Sequence, residues 1–512
     1  MLNLRLFVCV FLSLTIVTGC AVNPVTGKRE LAIVSEGQEL AIGAEQYGPS
    51  QQSEGGVWQI DPELTRYVDY VGQRVARVSD RDLPYEFVVL NNSVPNAWAL
   101  PGGKIAVNRG LLLQLNNEAE LAAVLGHEVV HAAARHGANA MQRGMILQGV
   151  VLATALTAAD SDYANYIVGG AQLGSQLITT KYGREAELES DYYGMQYMAR
   201  AGYDPRAAIG LQQTFVKLSD GQASGWLDGL FASHPPSMER VAANQRTAQA
   251  LNVTGELHKQ QFDEHLAGLR NMQPAYDGLD EAVALIAKND YINAGKTIDK
   301  ALALLPAEAR LHGVKGEVLL ARNQYQAAAE AFTAALQRDN NYFEYYLGRG
   351  LAKRKLGDNS AARADLEQSN RLLPTAMASN ELGQIALLSG DRTTAKNYFQ
   401  TAMAAGGSLG DNASNAFIRL DLSDNPSQYV LATPALTAQG QLQATLANRT
   451  NLALRNISVE FAARVNNQTI QRLVTVDRLA AGAQGQVSSG WQFSTDDLIE
   501  QVQVRVLQAH GT

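Results

Sequence analysis

The chain has 512 residues, two cysteines and a formal net charge of −8, with 18% of its residues charged. That length exceeds one hydrophobic core and implies about three domains. The sparse, acidic charge leaves no basic footprint for nucleic acid, so no nucleic-acid partner is expected.

Residues 1–19 carry one early Arg and an apolar run too short to span a bilayer, which reads as a secretory signal containing Cys9. Val17-Thr18-Gly19-Cys20 has the form of a bacterial lipobox, in which cleavage leaves Cys20 as a lipidated N-terminus. The alternative is an ordinary signal peptide with a stray cysteine. Lipidation tethers a chain without spanning the membrane. Ala21, rather than Asp, after the cysteine resembles signals sorted to the outer membrane. The expected address is therefore the periplasmic side of that membrane in a Gram-negative host.

Residues 20–265 are expected to form an α+β catalytic domain. Asp61-Pro62-Glu63 starts a helix running to about Ser79, because Pro suits the first helical turn. Tyr85 to Leu90 and Ala97 to Val107 read as strands, the second turning at Gly102-Gly103. Asn117 followed by Glu120 reads as a reciprocal N-terminal cap, and the Ala- and Leu-rich run Glu118 to Ala134 as a helix ended by Gly137.

On that helix stands His127-Glu128-Val129-Val130-His131. Residues four apart share a helix face, so His127 and His131 can turn both imidazoles toward one ion. Glu128 lies about 100° around the helix, within reach of a water at that ion without ligating it. A second helix, Lys181 to Ala201, closed by Gly202 and Pro205, places Glu187 and Asp191 on one face. Glu187 is the expected third ligand, and Asp191 the carboxylate that orients a ligating histidine. Three protein ligands and an open fourth position are the mark of a catalytic rather than a structural zinc. One Zn²⁺ per chain is expected. With zinc lowering the pKa of a water toward 7, Glu128 would act as general base during attack on a peptide carbonyl.

The segment 141–180 is rich in Gly, Ala, Val and Leu and is interrupted by Asp160 and Asp162. Neither half is long enough to span a bilayer. A helical hairpin on the core or over the cleft is the plain expectation, and a membrane-touching lid the sharper one.

His127-Glu128-x-x-His131 with Arg184-x-x-Glu187-x-x-x-Asp191-x-x-Gly194 resembles the gluzincin zinc metalloproteases of the HtpX and CAAX-prenyl-protease superfamily. Asn96 to Val107, Arg109-Gly110-Leu111-Leu112 and Ser233-His234-Pro235-Pro236-x-x-x-Arg240 strengthen the resemblance, which covers about residues 23–250. It implies a zincin-like fold in which Ala97, Trp98, Ala99 and Leu100 form a substrate-side strand. Such an edge can accept an extended polypeptide through main-chain hydrogen bonds; an ordinary sheet edge is the plain alternative. A metzincin would need a third histidine where Gly137 stands; His136 is one residue out of register and reads as a structural hydrogen-bonder. His234 has three readings: a catalytic donor to the oxyanion, a fourth ligand that holds the enzyme latent, or a structural loop residue.

Residues 274–410 repeat. Ala294, Ala328, Ala362 and Ala395 recur at spacings of 34, 34 and 33 residues, with Ala282, Gly316, Gly350 and Gly383 before them and Ile298, Phe332, Leu366 and Phe399 after. This is the pattern of four tetratricopeptide units in an all-α solenoid, small residues where paired helices touch and bulky ones in the next layer. Residues 424–508 instead alternate polar and apolar in short runs, which suggests a small β-sandwich, immunoglobulin-like in kind, either a binding module or a stabilising cap.

Together, a gluzincin domain, repeats and an envelope address resemble BepA-like proteases of outer-membrane biogenesis. The resemblance implies cleavage of unfolded or misassembled envelope polypeptides, with the repeats docking on the protein-assembly machinery. The lipobox and the C-terminal β domain depart from that pattern. A chaperone or scaffold with a latent protease site is the alternative.

Overall fold

The computed structural model describes residues 20–143, 182–220, 231 and 233–512. The signal segment, most of the 141–180 insertion and the stretch 221–230 before His234 therefore lie outside the described residues. Contacts divide the chain into two compact units between Leu356 and Gly357.

The first unit opens with an antiparallel hairpin, β1 (Cys20–Val22) and β2 (Arg29–Leu31). Its turn is built by Asn23, whose Oδ1 accepts from the backbone N–H groups of Val25 and Thr26. Helix α1 (Glu36–Ser53) follows a capping box made by Ser35 and Gln38. Helix α2 (Pro62–Ala76) is capped by Asp61, whose Oδ1 accepts from Leu64 N–H at 3.1 Å; it stops short of Ser79. A three-stranded sheet comes next, β3 (Glu86–Leu90), β4 (Ala97–Leu100) and β5 (Lys104–Asn108), in the order β3-β5-β4. β3 runs parallel to β5 and β4 antiparallel to it. The β4–β5 turn needs left-handed backbone at two successive positions, φ +79° and +84°, which Gly102 and Gly103 adopt without a Cβ clash.

Short α3 (Arg109–Leu112) leads to α4 (Glu118–Ala133), every residue of which is buried. Asn117 caps α4 as expected, its Oδ1 accepting from Glu120 N–H at 3.0 Å. The return bond differs: the Glu120 carboxylate accepts from Asn116, at its backbone N–H and its side-chain amide, rather than from Asn117. The helix also ends earlier than Gly137. Arg135 takes the left-handed conformation, φ 62°, held by its guanidinium on Glu39 and the Val34 carbonyl. Helices α5 (Arg184–Arg200) and α6 (Ala207–Asp220) pack on α4, and α7 (Met238–Leu251) packs on α5 and α6.

Helix α8 (Lys259–Ala287) carries Tyr276 into a polar joint with the catalytic core. Trp58 Nε1 donates to Tyr276 Oη at 2.6 Å, Tyr276 donates to Glu308 at 2.6 Å, and the buried Arg109 guanidinium lies 3.5 Å from the Tyr276 ring centroid. The paired helices continue through α9 (Tyr291–Leu304), α10 (Ala309–Ala321), α11 (Tyr325–Leu336) and α12 (Phe343–Lys355). A Cβ at Gly316 would meet the Phe332 ring at 2.8 Å, so the small residue is required where that ring inserts.

The second unit contains α13 (Asn359–Leu372), α14 (Ala376–Leu388), α15 (Arg392–Ala402), α16 (Gly407–Asp421) and the single turn α17 (Pro426–Tyr429). The four repeat alanines, two in each unit, are fully buried. Six strands end the chain: β6 (Val430–Leu436), β7 (Gln441–Asn448), β8 (Leu454–Val465), β9 (Gln468–Leu479), β10 (Gln484–Gln492) and β11 (Ile499–Gly511). They form two antiparallel sheets, ordered β10-β7-β6 and β11-β8-β9, that share one core including Leu442, Leu446, Ile457, Val459 and Phe461. Burial alternates along β7, matching the alternation in its sequence.

Candidate metal centre

Two helices bring the chemistry together by crossing closely. Where α4 meets α5, a Cβ on Gly194 would lie 3.2 Å from the Gly126 carbonyl carbon and the His127 nitrogen. Two glycines thus let the backbones approach and bring Glu187 up to the histidines. His127 Nε2 lies 3.0 Å from His131 Nε2 and 3.5 Å from Glu187 Oε2, and His131 Nε2 lies 3.4 Å from Glu187 Oε1. A tetrahedral zinc with bonds of about 2.0–2.1 Å has its ligand atoms roughly 3.3 Å apart. The donor set fits that ion in chemistry and in spacing. Glu128 Oε2 is buried without a hydrogen-bond partner, and Glu128 lines the same pocket as His127.

His234 completes the cluster. Its Nδ1 lies 3.3 Å from His127 Nε2 and 3.1 Å from Glu187 Oε1, and ligand atoms of His127, His131, Glu187 and His234 all lie within 4.8 Å of one another. Its other nitrogen stands 3.6 Å from Glu128 Oε1. Its Nδ1 therefore stands at the corner that a fourth, exchangeable ligand would take.

A second layer fixes the rings. Asp191 Oδ1 lies 2.9 Å from His127 Nδ1, which leaves His127 Nε2 free to ligate. His136 Nδ1 stands 3.0 Å from His131 Nδ1 and does the same for His131, while Tyr182 stacks on the His131 ring at 4.0 Å. Arg240, on α7, donates from Nε and Nη2 to Asp191, both at 2.7 Å, and places Nη1 2.9 Å from Glu187. The sequence placed Arg240 in a closing motif but did not reveal this contact. The signal was present in its spacing: Ser237 caps α7, which puts Arg240 in the first turn, facing back toward α5.

The electrostatics follow from burial and these partners. Burial opposes the charge on Asp191, yet Arg240 and His127 hold its pKa below the usual range. Burial likewise opposes Glu187, but His234 and His127 keep it well below. Burial also opposes charge on His127, and the carboxylates of Glu187 and Asp191 raise its pKa to about 9. Burial drives His131 the other way, well below its ordinary value, and His127 with its Nε2 3.0 Å away adds to the fall. Burial raises Glu128 against the pull of His234 and His127, the direction a general base requires.

Beside His127 and Glu128 lies a pocket lined by Ala123, Val124, Met195, Met198, Leu211 and Phe215. β4 is an outer strand of its sheet, as β3 is, and Ala97 of β4 also lines that pocket. The side chains of Ala97, Trp98, Ala99 and Leu100 are buried, so only the β4 backbone offers an edge.

Residues 62–248, from the start of α2 into α7, match the family model described as Peptidase family M48. The beta-barrel assembly-enhancing protease of Yersinia pestis is 32% identical over 42% of this chain and 43% of that protein. Its namesake in Escherichia coli is 28% identical over 60% of this chain and 68% of that one. The metalloprotease YcaL of Escherichia coli is 27% identical over 47% of this chain and 96% of its own length. The match to the Yersinia protein spans less than half of that relative, and the match to the E. coli protease about two thirds.

Proposed function

We propose that this chain, which carries an M48 peptidase domain, is a zinc metalloendopeptidase of the bacterial envelope that cleaves unfolded or misassembled envelope polypeptides. The observation that carries this reading is the convergence of His127, His131 and Glu187 beside a buried, unpartnered Glu128 oxygen. His127, His131 and Glu187 would hold the zinc, which would supply Lewis acidity toward water and a peptide carbonyl. Glu128 takes the proton of the attacking water and delivers it to the leaving amine. Asp191 and Arg240 hold His127 and Glu187 in place. The β4 backbone aligns an extended substrate, and the neighbouring pocket takes an apolar side chain. The curated relatives named for beta-barrel assembly support a role in outer-membrane protein quality control. In that role the repeats dock on the assembly machinery and Cys20 carries the lipid anchor. Glu128→Gln is the test: it should keep zinc and lose cleavage, and substantial cleavage by that variant refutes the assignment.

One observation favours a second reading, a chaperone or scaffold with a restrained site. His234 Nδ1 stands at the fourth corner of the donor set, and cleavage requires it to withdraw. His234→Ala should then raise proteolysis. Unchanged or lower activity counts against restraint by His234 and favours its role as an oxyanion donor or loop residue.

A further inference from the structure

The hairpin that follows the lipobox is not a loose leash. Asn23 Nδ2 donates to the Ala134 carbonyl at 2.9 Å, three residues beyond His131, and to Glu30 at 2.9 Å. Asn139 Nδ2 donates to Glu30 at 2.6 Å, and Lys28 Nζ pairs with Glu189 at 2.6 Å, two residues from Glu187. Val25 is buried in the core of the catalytic unit. Both metal-binding helices are thus tied to the segment that begins at Cys20.

The strand register sorts the hairpin into two faces. Ala21 pairs with Glu30, and Glu30 turns inward to Asn23 and Asn139. The alternate positions, Val22 opposite Arg29 and Leu31 two residues along β2, belong to the outward face. On that face Val22 and Leu31 are 60% and 45% exposed, Ile33 just beyond β2 is 49% exposed, and Arg29 is exposed beside Val22. Three exposed aliphatic side chains with one arginine, continuous with an acyl-bearing residue, match a bilayer surface: chains below, phosphate headgroups beside the guanidinium. Three extended residues reach at most about 10 Å. Adding the Asn23 side chain and the three residues from Ala134 back to His131 puts the donor cluster within roughly 20 Å of Cys20.

We propose that the β1–β2 hairpin is a membrane-docking surface that seats the catalytic unit on a phospholipid bilayer in a fixed orientation, so that the enzyme works on polypeptides at the membrane surface. This rests on the reading that Cys20 is acylated. Chains presented within a few nanometres of the bilayer are its substrates; chains free in solution are poor ones.

The test uses the full mature lipoprotein in phospholipid vesicles, with mass spectrometry of its N-terminal peptide to establish the acyl groups. Cys20 is the only cysteine beyond the signal segment, so Ile33→Cys accepts a single fluorophore. Quenching by lipid-borne nitroxide reports contact. Two perturbations follow: a 20-residue Gly/Ser insert between Cys20 and Ala21, adding a reach of roughly 25 Å, and the double variant Val22→Asp, Leu31→Glu on exposed positions. Strong quenching is expected in the parent and at least a threefold loss when the insert and the double variant are combined. Cleavage of an unfolded polypeptide anchored in the same vesicle should fall at least fivefold, while cleavage of the same polypeptide in solution stays constant. An acylated parent whose label is unquenched, or whose quenching ignores both changes, overturns the docking surface alone. An unacylated Cys20 overturns the anchor reading and the docking surface with it.

Discussion

Arg240→Ala tests whether the second layer holds the metal site together. The guanidinium is 6% exposed and grips Asp191 through two nitrogens and Glu187 through a third. Removing it leaves two buried carboxylates short of a counter-charge. Breaking a buried pair in this way costs about 3–5 kcal/mol. Zinc supplies positive charge at the same place, so the loss should be large in chelator and smaller with saturating zinc. Misorientation of His127 should also weaken zinc binding about 10–100-fold, as loss of such supporting partners does. Urea unfolding of the catalytic unit followed by tryptophan fluorescence, with and without zinc, measures the first effect; competition with a chromophoric chelator measures the second. Arg240→Lys keeps the charge but not the fork and should recover only part of both. A stability loss below about 1 kcal/mol in chelator, or wild-type zinc affinity, would show that Asp191 is satisfied without Arg240.

Tyr276→Phe removes the hydroxyl that joins Trp58 to Glu308 and should cost about 1–3 kcal/mol in urea unfolding of the first unit, since both partners are buried. Phe332→Ala should cost about 3–5 kcal/mol there, because the ring fills the space that Gly316 and Gly348 leave. Burial raises the pKa of Glu317 to about 7, with Arg310 opposing and Glu344 adding. A carboxyl raised in the fold prefers its protonated form, so its contribution to stability is full below about 4.5 and is lost as pH rises through 7. The urea midpoint of Glu317→Gln should therefore gain on wild type between pH 5 and 8; parallel profiles would refute the shift.

The two helices of the candidate metal centre were legible because their spacing is periodic: two histidines four apart, and Glu187 and Asp191 four apart, need only a helix to share a face. The repeat alanines were legible for the same reason. What escaped the sequence is long-range and polar. Arg240 meets Asp191 from another helix, Tyr276 meets Trp58 across more than 200 residues, and Asn23 reaches Ala134 from the far end of the domain. No period announces such pairs. The end of α4 was misread for a local reason. Glycine is the usual left-handed residue, but Glu39 and the Val34 carbonyl hold Arg135 there instead. Burial of the β4 side chains was likewise hidden, since an edge strand reads the same whether or not a helix covers its face.

Metal content and unfolded-casein cleavage of the purified mature chain, beside Glu128→Gln and His234→Ala, reach the main conclusion most directly. One zinc per chain in wild type and in Glu128→Gln, with cleavage abolished in the latter, is the expected outcome. No zinc in the wild type, or undiminished cleavage by Glu128→Gln, would mean that His127, His131, Glu187 and Glu128 do not form a peptidase centre.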